Sequence, residues 1–153
     1  DDVVDAAAKS VSQFARDVPV AVMRLDLGEL VNVSEAGEHF ALAAIRGKRV
    51  LAIAGVGNTE AFFRQLENAG ATVNRRSFPD HHRFSQTDAL ELGTAASVTD
   101  YVVCTLKDAV KLGPLWAPDK GPLWYVSLAV TVERGEAALD TLLMRLRGRI
   151  AVK

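Results

Sequence analysis

The sequence predicts an α/β fold in three layers, with a mainly parallel sheet between flanking helices. Short apolar runs alternate with amphipathic stretches along most of the chain, an order typical of parallel strands joined by helical crossovers. The run from Arg49 to Ala54 is apolar after its arginine and is closed by Gly55, as expected for a strand that is buried on both faces. We therefore expect residues 1–153 to form a single α/β domain.

The expected elements follow from apolar periodicity and from capping residues. Strands are predicted at residues 19–25, 49–54, 71–78, 100–105 and 123–130. Helices are predicted at residues 58–68, 85–96, 107–112 and 132–147, and the Ala-rich residues 5–16 are expected to be a helix or a frayed lead-in. Asn58 is suited to cap the second helix and Gly70 to end it, while Ser85 to Asp88 resembles a capping box. The segment 28–47 carries mixed signals, with a short helix expected near residues 40–42.

Composition excludes several classes of protein. The chain has 18 Lys+Arg and 19 Asp+Glu, a net charge of −1, which argues against broad electrostatic binding to nucleic acid or to an anionic membrane. No apolar run reaches the roughly 18–20 residues that span a bilayer. Cys104 is the one cysteine, so no intrachain disulfide can form. We expect a soluble, intracellular chain with no nucleic-acid partner and no transmembrane segment.

Three loops follow predicted strands, at the sheet edge where α/β folds bind ligands. In the first, Gly55, Gly57 and Asn58 stand between a strand and a helix start, where backbone N–H groups attract anions and glycine lets a phosphate approach. The loop is neither a dinucleotide fingerprint, because Glu60 replaces the third glycine, nor a Walker A loop, because no Gly-Lys-Ser/Thr follows. A tight strand-to-helix turn is the alternative.

The second loop contains Asp80, His81 and His82. A carboxylate beside imidazoles can orient a base, tune a proton transfer or bind a metal. Adjacent side chains diverge, so a metal site would need further ligands such as His39. A solvated surface loop is the alternative. The third loop offers Thr105, Lys107 and Asp108, which could cap a helix and meet a phosphate or a partner carboxylate; an ordinary cap with surface lysines is the alternative.

In this order and at this spacing, the motifs resemble the carboxyl-terminal half of the tetraacyldisaccharide 4′-kinase family. The resemblance runs from about residue 18 to residue 146. It is carried by the turn at 54–58 with its following Phe62-Phe63, by Phe78-Pro79-Asp80-His81-His82, and by the run from Thr105 to Leu112. The family usually has Glu where Leu106 stands and often Pro where Thr59 stands.

The resemblance implies the Rossmann-like second lobe of a two-lobed P-loop-type kinase. Such a kinase uses ATP and Mg²⁺ to phosphorylate the 4′-hydroxyl of tetraacyldisaccharide 1-phosphate, in lipid A biosynthesis at the cytoplasmic face of the inner membrane of Gram-negative bacteria. In the family the Walker A loop, an Asp-Asp-Gly segment and a membrane-facing helix lie in the amino-terminal half. This sequence has none of them, and its first methionine is Met23. We therefore expect a processed chain or a piece of a longer one, inactive without its amino-terminal lobe.

The resemblance also implies roles for residues. His81 would face a catalytic carboxylate of the absent lobe and orient it as general base, and Asp80 would hold the tautomer of His81 or cap its own loop. The remaining candidates would contact the nucleotide or dock the other lobe; they are Gly55, Gly57, Asn58, Thr105, Lys107 and Asp108. No metal ligands are assigned to this chain, since ATP and Mg²⁺ would be bound mainly by the absent lobe.

Two other functions remain open from the residues. The first is a metal-dependent phosphoesterase built on Asp80, His81 and His82, although no Asp-x-Asp motif stands in a suitable loop. The second is a non-catalytic α/β interaction module, for which an exposed apolar face would be the expected surface.

Overall fold

The computed structural model of this protein describes residues 2–14, 20–35 and 37–150. Its helices are α1 (Asp2–Phe14), α2 (Thr59–Asn68), α3 (Gln86–Ala96), α4 (Leu106–Leu112) and α5 (Glu136–Ile150). Its strands are β1 (Val22–Asn32), β2 (His39–Ala41), β3 (Arg49–Ala54), β4 (Thr72–Ser77), β5 (Tyr101–Thr105) and β6 (Leu123–Arg134). Short 3₁₀ helices occupy Leu42–Ile45, Gly113–Leu115 and Pro118–Lys120.

The strands form one sheet in the order β2-β1-β6-β5-β3-β4. β3 pairs in parallel with β4 and with β5, and β5 pairs in parallel with β6, whereas β1 and β2 are antiparallel. The predicted mainly parallel sheet is confirmed. Because Ala54 lies opposite Ser77 and Ile53 lies opposite Cys104, the strands β4, β3 and β5 end at the same edge of the sheet.

β3 is the centre of the core, and its alternating side chains build two separate clusters. Val50, Ala52 and Ala54 pack on one face with Phe62, Phe63 and Leu66 of α2. Leu51 and Ile53 pack on the other face with residues of α3 and α4. Residues 50–54 are fully buried. The sheet therefore lies between two helical layers, and the predicted three-layer α/β architecture is confirmed.

Local capping signals predicted the two helices that follow β3 and β4. The Asn58 side chain accepts a hydrogen bond from the N–H of Ala61 at 3.0 Å, and α2 begins at the next residue. Ser85 and Asp88 form a reciprocal capping box: the Ser85 hydroxyl accepts from Asp88 N–H at 3.1 Å, and the Asp88 carboxylate accepts from Ser85 N–H at 2.7 Å.

Two strands, β6 and β1, extend further along the chain than predicted. The last predicted helix is present, but its predicted start at Val132 is wrong, because β6 continues to Arg134 and α5 begins at Glu136. The β-branched residues in 130–132 favour a strand, and the break comes at Gly135, whose φ of 79° suits glycine. β1 likewise continues through residues 28–32, where Leu30 is buried.

The mixed segment before β3 also differs from its prediction. The helix expected near residues 40–42 is the 3₁₀ helix Leu42–Ile45, whereas Phe40 belongs to β2. The predicted boundaries at Arg16 and Pro19 lie outside the described residues.

The chain divides into two compact units, residues 26–129 and residues 1–25 with 130–153. The smaller unit contains ion pairs from Arg134 to Asp5 at 2.7 Å and from Arg24 to Glu133 at 3.2 Å. The leucines of α5 are only partly covered, since Leu142, Leu143 and Leu146 are each about half exposed. Among the helices that the structure describes, none is both long and apolar enough to cross a membrane.

The capping box gives a test of α3. Ser85→Ala removes the hydroxyl that caps the helix, and we expect it to lower the free energy of unfolding by about 1 kcal/mol at pH 7. Hydrogen bonds from the backbone and hydroxyl of Ser85, with a smaller contribution from His82, hold the pKa of Asp88 below its ordinary value. A carboxyl group of this kind stabilises the fold at neutral pH and loses that contribution as the pH falls through its folded pKa.

The deficit of Ser85→Ala should therefore shrink as the pH is lowered below about 4, as measured by urea unfolding at each pH. Ser97→Ala is the matched control, because the Ser97 hydroxyl donates to the backbone carbonyl of Thr94 at 2.8 Å, an acceptor that does not titrate. If Ser85→Ala lowers the free energy of unfolding by the same amount at pH 7 and at pH 3, the cap is not coupled to the ionisation of Asp88.

Candidate functional site

The three loops singled out from the sequence meet at the carboxyl edge of β4, β3 and β5. Gly55 N–H donates to a carboxylate oxygen of Asp108 at 2.9 Å, which joins the β3 loop to α4. Phe78 N–H donates to the carbonyl of Ala54 at 2.8 Å, which joins the β4 loop to β3. Lys107 joins the β4 loop to α4 through a 3.1 Å hydrogen bond to Asp80. The edge is therefore one connected polar cluster.

Asp108 is the buried centre of this cluster, with no exposed surface. Its Oδ2 accepts from Gly55 N–H and, at 2.7 Å, from the hydroxyl of Thr105. Thr105 in turn accepts from Asp108 N–H at 3.2 Å and so caps α4. Oδ1 of Asp108 has no hydrogen-bond partner among the described residues. Burial, together with the nearby charge of Asp108, raises the pKa of the Cys104 thiol, so this cysteine behaves as the buried small side chain of a core.

Gly55 is closely packed, whereas Gly57 is not. A β-carbon at Gly55 would lie 3.1 Å from Oδ1 of Asp108 and 3.4 Å from the carbonyl oxygen of Pro79. A β-carbon at Gly57 would meet no atom of the described residues within 4 Å. The turn is thus tight at its first glycine, and its second glycine is open to solvent. Asn58 is engaged as the cap of α2.

The two histidines of residues 79–83, which we call the histidine loop, have different surroundings. The ring of His82 lies 4.7 Å from that of Phe78 and 5.0 Å from that of Phe84, between centroids. Its Nε2 is 3.3 Å from Oδ2 of Asp88, and 26% of the side chain is exposed. The side chain of His81 is 79% exposed. His82 is therefore an anchor of the loop, and His81 is presented to solvent.

Asp80 connects the histidine loop to α4. Its Oδ1 accepts from Lys107 Nζ at 3.1 Å and from His81 N–H at 3.0 Å, while its Oδ2 is 3.5 Å from Nε2 of His81. The Lys107 hydrogen bond is the main cause that holds the pKa of Asp80 below its ordinary value. Asp80 is therefore a charged carboxylate at neutral pH.

The structure does not gather the proposed metal ligands. His39 lies on β2, at the opposite edge of the sheet from β4, and its Nδ1 is 3.4 Å from Glu29. His82 is turned to Asp88 rather than to Asp80. Within residues 2–14, 20–35 and 37–150, no three His, Cys, Asp or Glu side chains are grouped so that they could hold a metal ion.

Two residues of the cluster were not singled out from the sequence. Asp88, read only as a capping residue, is also the partner of His82. Lys111 donates from Nζ to the carbonyl of His82 at 3.1 Å. The sequence feature that could have identified Lys111 is its spacing from Lys107, because residues four apart share one face of a helix. Leu106, where the resembling family usually has Glu, is 53% exposed.

Together, the fold and the cluster define a three-layer α/β protein with its polar site at the carboxyl edge of a mainly parallel sheet, the edge where such proteins bind ligands. Comparison with known proteins identifies the family. The family model for tetraacyldisaccharide-1-P 4′-kinase (LpxK) matches residues 2–147, and the chain belongs to this family.

Relatives and a solved structure agree with this assignment. Tetraacyldisaccharide 4′-kinase of Dechloromonas aromatica is 36% identical over 132 residues, which cover 86% of this chain and 37% of that protein. That of Anaeromyxobacter dehalogenans is 43% identical, over 71% of this chain and 29% of that protein. The crystal structure of LpxK from Aquifex aeolicus in complex with ATP superposes with a TM-score of 0.50 at 25% identity, covering 80% of this chain and 35% of the other. This chain thus spans only about a third of the length of these relatives.

The contrast between the two glycines is testable. Gly55→Ala forces a β-carbon against Asp108 and Pro79, and we expect it to lower the free energy of unfolding by about 1–3 kcal/mol. Gly57→Ala adds a methyl group in open space and restricts the unfolded chain, so its effect should lie between zero and a gain of about 1 kcal/mol. Urea unfolding of both variants checks this. Equal losses would show that the packing at Gly55 does not limit the turn.

The central carboxylate is tested by Asp108→Ala. Removing it leaves the buried N–H of Gly55 without its acceptor, and we expect a loss of about 1–3 kcal/mol in the free energy of unfolding. Asp108→Asn keeps a carbonyl acceptor and should recover part of the loss. Glu91→Ala, on the exposed face of α3, is the control and should stay within about 0.5 kcal/mol of the wild type. If Asp108→Ala changes the free energy of unfolding no more than the control does, Asp108 is not the central acceptor of the cluster.

Proposed function

We propose that this chain is the carboxyl-terminal lobe of a tetraacyldisaccharide 4′-kinase, which phosphorylates the 4′-hydroxyl of tetraacyldisaccharide 1-phosphate with ATP. The observation that carries the proposal is the match to this family together with the three family motifs at one sheet edge. Two further facts support a lobe rather than a whole kinase. The sequence has no Gly-x-x-x-x-Gly-Lys-Ser/Thr loop, and it spans about a third of its relatives.

ATP and Mg²⁺ are assigned to the part of the kinase outside this chain. The carboxylates at the carboxyl edge do not fit a magnesium site, because Asp80 is engaged with Lys107 and Asp108 with Gly55 and Thr105. When bound, Mg²⁺ and a phosphate loop neutralise the charge of the transferring phosphoryl group. The residues of this chain contribute positioning.

His81 is the residue of this chain that we place closest to the chemistry. It is the exposed histidine of the loop, so its ring is accessible to a facing lobe. In phosphoryl transfer the attacking hydroxyl gives up a proton, and a carboxylate positioned as general base receives it. His81 orients that carboxylate of the other lobe by a hydrogen bond. Asp80 constrains the ring of His81 from 3.5 Å and holds the N–H of the same residue.

The other candidate residues divide into two groups. Gly55, Asn58, Thr105 and Asp108 build the carboxyl edge through hydrogen bonds and close packing inside this chain. Gly57 and Lys107 are exposed. Gly57 is the candidate for direct contact with the nucleotide or with the docked lobe, whereas Lys107 Nζ is engaged with Asp80. Leu106 brings no carboxylate to this surface, so any role of the usual Glu is absent here.

The lipid substrate and the membrane belong to the same proposal. Because the substrate is an acylated disaccharide, the kinase would act at the cytoplasmic face of the inner membrane, and the other lobe would make the membrane contact. This chain would then meet the substrate only when the two lobes close on it.

The test uses the full-length protein read from the source DNA upstream of the Asp1 codon. In that protein, His81→Ala should lower kcat by roughly 10²–10⁴-fold with an unchanged unfolding midpoint, as measured by phosphate transfer from ATP to the lipid. His39→Ala, on β2 at the far edge of the sheet, is the matched control and should keep wild-type turnover.

Two outcomes would contradict the proposal. Wild-type turnover in His81→Ala would remove the role of this residue. A start codon immediately upstream, with no phosphate loop encoded in the same frame, would favour the non-catalytic interaction module. The half-exposed leucines of α5 would then be its expected contact surface.

A further inference from the structure

The histidine loop has an unusual backbone at its exposed histidine. His81 has a φ of 61°, and it is the only non-glycine residue with a positive φ in the part of the chain that the structure describes. A left-handed conformation is disfavoured for residues with a β-carbon, so it persists where surrounding contacts hold it. The mostly exposed side chain of His81 supplies little packing of its own. The holding contacts must come from the neighbours of the loop.

Lys107 supplies the first of these contacts. Oδ1 of Asp80 accepts both from Lys107 Nζ at 3.1 Å and from the N–H of His81 at 3.0 Å. A single carboxylate oxygen therefore joins the lysine of α4 to the backbone of the left-handed residue. The lysine and the carboxylate are both charged, which makes the hydrogen bond between them stronger than a neutral one.

Lys111 supplies the second contact. Its Nζ donates to the carbonyl oxygen of His82 at 3.1 Å. Lys107 and Lys111 are four residues apart on α4, so their side chains project from the same face of the helix. One of them bonds to the residue before His81 and the other to the residue after it. The left-handed residue is thus held from both sides.

The side chain of His82 is anchored by contacts that do not involve the lysines. The ring of His82 packs against Phe78 and Phe84, and its Nε2 faces Asp88. His82 N–H also donates to the carbonyl of Pro79 at 3.1 Å, which closes the turn. These contacts position His82 and leave the direction of His81 to the bonds from α4.

We propose that Lys107 and Lys111 are positioning residues, which together hold the histidine loop so that His81 is presented outward at the carboxyl edge of the sheet. The positioning is a property of this chain and can be measured in it. Its use in phosphoryl transfer rests on the proposed function.

The first experiment measures the positioning by NMR in the 153-residue chain. In Lys107→Met, the carboxyl carbon of Asp80 should titrate at a higher pH than in the wild type, and the amide of His81 should exchange faster with solvent. The carboxyl group of Asp88 should keep its wild-type titration. In Lys111→Met, the amides of the loop should exchange faster while Asp80 titrates as in the wild type.

Controls separate positioning from a general loss of stability. Lys107→Arg keeps a charged donor and should retain the wild-type titration of Asp80. Lys48→Met removes an exposed lysine just before β3, at the amino-terminal end of that strand, and should leave all loop signals unchanged. The unfolding midpoint should stay close to that of the wild type in each variant, because exposed ion pairs contribute little to stability. An unchanged Asp80 titration and an unchanged His81 amide exchange in Lys107→Met would overturn the proposal.

The second experiment measures the consequence in the full-length kinase. Lys107→Met should lower kcat by roughly ten- to a hundredfold, because small displacements of a catalytic group are costly, with KM for ATP and lipid unchanged. Lys107→Arg should restore most of the turnover. If Lys107→Met keeps wild-type kcat while His81→Ala loses it, the positioning proposal fails and the proposed function stands. If both variants keep full turnover, the role proposed for His81 fails, and the NMR titration in the chain alone decides the positioning.

Discussion

The buried carboxylate of Asp108 is the contact on which the organisation of the carboxyl edge depends. It accepts from Gly55 N–H across a sequence separation of 53 residues and from the hydroxyl that caps its own helix. A polar group without exposed surface is costly to bury unless it is hydrogen-bonded, so this geometry ties the start of α4 to the end of β3. The absence of a β-carbon at Gly55 makes the approach sterically feasible. Once α4 is placed, its lysines reach the histidine loop, and the three loops become one surface.

The histidine loop shows how neighbouring residues of one type acquire different roles. Phe78 and Phe84 flank the loop in sequence and enclose the ring of His82, while Asp88 provides its polar partner. This side chain is held by packing and is suited to anchoring. His81 is itself the left-handed residue of the loop, with the charged Asp80 near its ring. An exposed side chain on a backbone that is fixed by hydrogen bonds is expected of a group that contacts a facing surface.

The carboxylates at the carboxyl edge form hydrogen bonds within the chain, which limits their capacity to coordinate a cation. Asp80 is engaged with Lys107, and Asp108 with Gly55 and Thr105. Such groups fix distances between loops rather than coordinate a cation. In the proposed function, such a lobe would contribute preorganised geometry to the reaction, and preorganisation is a substantial part of catalysis by positioning. This agrees with a chain that belongs to a kinase family, spans a third of its relatives and has no phosphate loop in its sequence.

The sequence by itself determined the α/β class, the doubly buried strand β3, the cap at Asn58 and the capping box at Ser85, because these signals are local. It also determined which loops follow parallel strands and therefore share an edge, and the motif order pointed to the family. Only the tertiary structure decided that Asp108 is buried, that His82 faces Asp88, and that Lys111 bonds to the carbonyl of His82. Those contacts depend on how the elements pack, as in the bond between Lys111 and His82, which are 29 residues apart in the chain. Periodicity and capping signals carry no information about such distant pairs.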